Sequence, residues 1–265
     1  MSLAANVLSE LENGQWSLAT IAPSFRRRLS TEMRSDAEDK SLLELCMGFY
    51  GKVHIERICV TSSKKEIDFI KLSPEAKNLI QEAFAADYVG SRLIPFEPEV
   101  SKKLQAALAM VEKTDSNIAV LVNDLISSFG RVKSVNFRSA SHPRLFGMIL
   151  LGDGVDQLSE DQLAVSIVHE LAHQELFLIN LLDRLVNQAF DYNEVHAPFQ
   201  GTKRPPIGRL HSMWALYRMV QFQKRQGEVN KKYCELLQKN LEAFESQELT
   251  PFGIRLVEIV RKRVS

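Results

Sequence analysis

The sequence holds no C-x-x-C spacing and no cysteine cluster: Cys46, Cys59 and Cys234 stand far apart along 265 residues. That argues against a disulfide framework and a thiol catalyst, and fits free thiols in a reducing compartment. Charge of one sign is not in excess, since lysine plus arginine and aspartate plus glutamate number 33 each. No global field therefore draws the chain to nucleic acid or to an anionic membrane, and neither is expected as a partner. No apolar run approaches the roughly 18 residues of a membrane span, and Met1 to Leu11 lacks a basic segment followed by an unbroken apolar stretch. The expectation is a soluble, cytoplasmic protein. Internal repeats and low-complexity linkers are missing as well. What remains is an ordinary globular chain, 45% hydrophobic, able to bury a core as one large domain or two small ones.

Taken in order, residues 3 to 47 read as two or three helices with breaks at Asn13-Gly14 and near Ser35-Asp36. Ser35 and Glu38 form a capping-box start for a stripe of Leu42, Leu45, Cys46 and Phe49. Arg26-Arg27-Arg28 reads as a solvated face. Strands are expected at Val53 to Val60, with His54 a surface residue on it, and at Glu66 to Lys71. Ser73-Pro74-Glu75 opens a helix to about Ala86. Two more helices follow, Val100 to Glu112 and Ser116 to Phe129, parted at Thr114-Asp115. The character changes at Gly130, with strands at Val132 to Arg138 and Phe146 to Leu151, one of which could hold an extended peptide along its edge. Ser159 with Gln162 caps a helix running toward Phe190. Asp191 to Gly201 is polar and irregular, Pro206 opens a helix to about Gln226 that stops at Gly227, and the chain closes with a helix to about Glu245 and one capped by Thr250-Pro251.

The chemistry centres on Val168-His169-Glu170-Leu171-Ala172-His173, an H-E-x-x-H sequence inside the helix that Ser159 starts. Residues four apart share a helix face, so His169 and His173 can turn both imidazoles toward one metal ion while Glu170 projects to the neighbouring edge. Two histidines on a largely buried helix would also cost stability unless hydrogen-bonded or metal-bound. The motif leaves the metal, and with it hydrolysis or oxidation, open.

The third ligand decides the class. A compact metzincin pattern is excluded, because the sixth residue after His173 is Ile179. Glu194 stands about where a two-helix zinc peptidase places its third ligand, which would make Glu170 the general base, but its surroundings read as a loop. His211, near the start of an apolar helix, is the stronger candidate. Trp214 and Arg218 share its face and read as a core residue and a surface cation.

The H-E-x-x-H sequence, followed after a loop by Arg204-Pro205-x-x-Gly208-x-Leu210-His211, resembles the H-E-x-x-H family of peptide-modification proteins. Its members are encoded with ribosomally made peptide natural products and are regarded as iron(II), 2-oxoglutarate-dependent peptide β-hydroxylases. The resemblance extends upstream through residues 132 to 151 and covers about half the chain. It implies His169, His173 and His211 around iron, in place of two histidines and a carboxylate, and Arg204 as partner for a 2-oxoglutarate carboxylate. An arginine suits that task because its planar fork binds a carboxylate through two nitrogens.

The expectation is thus a predominantly helical α+β protein with a zincin-like core and a small sheet beside the metal helix. Residues 1 to 95 would be an accessory part and 96 to 265 the catalytic domain, or the two one continuous domain. The expected activity is hydroxylation of a side-chain carbon in a peptide, with Glu170 orienting a ligand or water. The rivals are a zinc peptidase and a non-catalytic peptide-binding partner.

Overall fold

The computed structural model describes residues 3–13, 65–67, 72, 74–85, 92–133, 138–199 and 201–264. The Ser35–Glu38 capping box, the Leu42–Phe49 stripe, Arg26 to Arg28, the 53–60 strand with His54, the Ser73 cap and most of the 66–71 strand lie outside them. In chain order the described elements are α1 (Leu3–Asn13), α2 (Pro74–Ala85), β1 (Arg92–Ile94), α3 (Pro98–Thr114), α4 (Ser116–Leu125), β2 (Ser128–Lys133), β3 (Ser139–Ala140), β4 (Met148–Leu151) and α5 (Glu160–Leu182). They continue with β5 (Val195–Ala197), β6 (Thr202–Arg204), α6 (Pro206–Arg225), α7 (Lys231–Glu242) and α8 (Pro251–Val264). The protein is mostly helical with a small mixed sheet, an α+β arrangement. No helix among the described residues is long and apolar enough to cross a membrane.

The chain forms two compact units. A helical unit comprises Met1–Phe25 with Glu175–Ser265, and a sheet unit comprises Arg26–Gln174. Their boundary falls inside α5, and the stretch expected as an accessory part, 1 to 95, is divided between them.

In the sheet unit the strand order is β1-β2-β4-β3, with β2 parallel to β4 and antiparallel to β1, and β3 antiparallel to β4. β4 is buried along its whole length and β2 except at Lys133, which is why these strands do not alternate in polarity as a one-sided sheet would. Proline at the first turn and Glu99 favour the start of α3, whose Val100, Leu104, Ala107 and Val111 are buried at helical spacing. Asp115 caps α4 by accepting from the backbone of Asn117 and Ile118.

Two sequence expectations shift here. The helix from Ser116 ends at Leu125 rather than Phe129, because Lys65 Nζ takes up the carbonyls of Val122, Asn123 and Ile126. Phe129 then pairs with Lys65 and Ile67 on one side and with Ile149 on the other. The strand accordingly begins at Ser128, and residues 134–137 lie outside the described ones. Gly130, where the character of the sequence changes, sits inside it: a Cβ there would stand 2.5 Å from Leu150 Cδ2, a close approach that a side chain would block.

Arg131, 2% exposed, is the one buried cation of this sheet among the described residues. Its guanidinium donates to Glu97, to Asp156 and to the carbonyls of Leu151 and Gly152. One side chain thereby ties the start of α3 to the end of β4, and its burial is offset by these partners.

In the helical unit, α5 ends at Leu182 rather than near Phe190. Asn180 Oδ1 accepts the Leu185 N–H and Val186 is drawn into a bridge with Leu249. The segment expected to be irregular contributes β5 to a hairpin with β6, turned at Gly201 with φ +68°. Gly227, φ +81°, stops α6 as expected, and Thr250 Oγ1 caps α8 through the Gly253 N–H. Gly253 lies against α5's C-terminal extension, where a Cβ would meet Leu185 O at 2.1 Å.

Candidate metal centre

The metal helix starts as its sequence requires. Ser159 Oγ accepts the Gln162 N–H at 3.2 Å and Gln162 Oε1 accepts the Ser159 N–H at 3.0 Å, the reciprocal box that satisfies two orphan donors. Leu163, Ala164, Ile167, Val168, Leu171 and Ala172 are buried around it. Within this apolar sheath His169 and His173 stay half-buried, with ring centroids 4.6 Å apart, planes nearly perpendicular at 88°, and Nε2 atoms 3.0 Å apart.

Two nitrogens at that distance can share one proton or serve as neighbouring donors to one ion with bonds of about 2.0–2.1 Å. The donor set suits zinc or iron(II), both of which accept neutral imidazole. Two donors are what the structure brings together. Among the described residues no group of three or more histidine, cysteine, aspartate or glutamate side chains is gathered to hold an ion.

Glu170 occupies the next stripe of the helix and is 2% exposed. Ser139 Oγ donates to Oε1 and Ser141 Oγ to Oε2, each at 2.8 Å. One turn on, Gln174 Oε1 accepts the N–H of Gly147, whose φ is +83°. Glu170 and Gln174 therefore hold the segment between β3 and β4, while the histidines one residue before each occupy the adjoining stripe.

The helical unit carries the remaining sequence candidates. His211 lies in the second turn of α6, half-buried, with its ring 4.7 Å from that of Phe177. Arg204 ends β6 with its side chain exposed. Gly208 follows one turn later, where a Cβ would come within 3.5 Å of Arg204 Cβ, so the R-P-x-x-G spacing marks a strand end packed on a helix start. Glu194 is exposed in the loop before β5.

Arg218 corrects an expectation. It is no surface cation: its side chain is 17% exposed and its Nε and Nη2 hold the two oxygens of Glu175 at 2.9 and 2.5 Å. Trp214 Nε1 donates to the same carboxylate at 3.2 Å, and the guanidinium lies 5.2 Å from the Trp214 ring. Glu175, fully buried, went unnoticed in the sequence, although an acid inside an apolar helix calls for a charged partner. Ser139 and Ser141 carried no sequence signal. Comparison with known sequences adds no relative: no family model matches the chain, and no curated protein matches it.

Proposed function

We propose that the protein is an iron(II)- and 2-oxoglutarate-dependent oxygenase that hydroxylates a side-chain carbon of a peptide, built on a zincin-like core. His169 and His173 would hold the metal, with His211 as third donor and Arg204 receiving a 2-oxoglutarate carboxylate through its planar fork. Bound together, the iron and 2-oxoglutarate supply the oxidation: one oxygen atom of O2 enters the peptide C–H bond and the other leaves in succinate as carbon dioxide is released.

The observation that carries this reading over a zinc peptidase is the engagement of Glu170. A general base must offer an oxygen to the attacking water, whereas Glu170 is 2% exposed and its two oxygens face Ser139 and Ser141, from whose hydroxyls they accept hydrogen bonds. Glu170 then acts as a positioning residue: it fixes the helix turn bearing His169 against β3.

Metal analysis of protein purified without oxygen, followed by succinate release on adding iron(II), 2-oxoglutarate and candidate peptides, tests the reading. Release should disappear in His169→Ala, His173→Ala and His211→Ala and survive in part in Glu170→Gln. Tightly bound zinc with peptide cleavage abolished by Glu170→Gln would instead establish the peptidase.

A further inference from the structure

Within the helical unit, Trp214 and Arg218 of α6 close on a single side chain of α5, the fully buried Glu175. Arg218 holds its two oxygens at 2.9 and 2.5 Å through Nε and Nη2, and Trp214 Nε1 adds a third hydrogen bond at 3.2 Å. His211 stands three residues before Trp214 and seven before Arg218, on the same stripe of α6, and its ring lies 4.7 Å from that of Phe177 on α5. Two residues turn a helix by about 200°, so Glu175 and Phe177 leave α5 on opposite sides. The stripe of α6 therefore touches α5 on both flanks, with the carboxylate cluster at one and His211 at the other.

A buried ion pair adds little stability over apolar residues of the same shape, and apolar packing alone has no direction. Direction is what three hydrogen bonds to one carboxylate supply: the planar fork of Arg218 accepts one orientation of Glu175, and the indole N–H fixes the neighbouring turn. A metal donor needs that precision, since its bond length is held to within about 0.2 Å, whereas an aromatic contact such as that of His211 with Phe177 is satisfied anywhere between about 4.5 and 7 Å. We propose that Glu175, Trp214 and Arg218 form a clamp that sets the place of His211, which makes Glu175 and Arg218 positioning residues for the third metal donor; the inference rests on His211 being that donor.

Two readouts on the full chain test it. With histidine labelled at Cε1, the nuclear magnetic resonance signal of His211 in the metal-free protein reports its place against the Phe177 ring, and titration with cobalt(II) alone reports the donor. In Glu175→Gln and in Arg218→Lys, which keep the length or the charge of the native side chain, the His211 signal should move while circular dichroism shows a folded chain. Cobalt(II) affinity should fall about tenfold or more, toward that of His211→Ala. Trp214→Phe, which withdraws one hydrogen bond and leaves the ion pair, should shift both readouts in the same direction. An unmoved His211 signal in all three variants, or wild-type cobalt(II) affinity in all three where His211→Ala weakens it, reduces the cluster to a structural ion pair and overturns the inference. If His211→Ala itself leaves cobalt(II) affinity unchanged, His211 is not the third donor, and that reading falls together with the inference.

Discussion

Arg209 and Glu248 form an ion pair at 2.6 Å, with side chains 0% and 2% exposed. Arg209 also donates to Ala243 O at 2.6 Å, and Glu248 accepts from Asn193 at 3.1 Å. Removing one partner strands the other charge in the interior, which typically costs about 3–5 kcal/mol. Glu248→Gln and Arg209→Met should each lower the unfolding free energy measured in urea by an amount in that range, and the double variant should lose less than the sum of the two. Strict additivity would show that the charges are not coupled.

The grip of Glu170 on β3 makes a second prediction. Ser139→Ala with Ser141→Ala leaves two carboxylate oxygens buried without their donors, and each lost partner costs on the order of 1–3 kcal/mol. Because the same turn carries His169, the loosened helix turn should also weaken metal binding, by up to the roughly 10–100-fold that follows when a metal ligand loses its support. Calorimetric titration with cobalt(II) reads this directly; unchanged affinity in a destabilised double variant would confine Glu170 to a role in folding.

Two glycines should respond unequally to alanine. At Gly253 the new Cβ would lie 2.1 Å from the backbone oxygen of Leu185, whereas at Gly130 it would lie 2.5 Å from Leu150 Cδ2, the end of a side chain. A methyl can rotate away and a peptide oxygen cannot. Gly253→Ala should therefore cost more than the roughly 1–3 kcal/mol of ordinary overpacking and Gly130→Ala should fall within it, as measured by thermal unfolding.

Lys65 links stability to pH. Burial pushes its ammonium below the ordinary 10.5, with Asp124 opposing the shift. Between the lowered folded value and 10.5 the unfolded chain holds more protons than the folded one, so this group makes stability rise with pH in that window and leaves it level below. Urea unfolding of the wild type and Lys65→Met from neutral pH to 10.5 should show a difference that grows in favour of the wild type. A difference independent of pH would refute the assignment.

Helix starts were legible because their determinants are local. The proline of α6, the Ser159–Gln162 box and Thr250 each act within one turn of the residue they cap. β2 was misplaced because Phe129 continued the apolar stripe of α4 and Gly130 looked like a terminator. What puts both in a strand is pairing with 148–151, twenty residues away in the chain. The β5–β6 hairpin escaped notice because three-residue strands rich in exposed polar side chains carry no alternation. In the site, the approach of His169 to His173 follows from helical spacing. The partners of Glu170 and Glu175 lie 29 to 43 residues away, and only the requirement that a buried acid find donors was there to be read.

One face of α5 holds the chain between β3 and β4 at two places, Glu170 on Ser139 and Ser141 and Gln174 on Gly147. Both ends of that connection are pinned by consecutive turns of a helix that is itself deeply buried. Ordering a backbone residue costs roughly 1–2 kcal/mol, and here that loss of entropy falls on folding rather than on recognition. A molecule lying against this segment meets a surface already in its final shape and forfeits no affinity to shaping it.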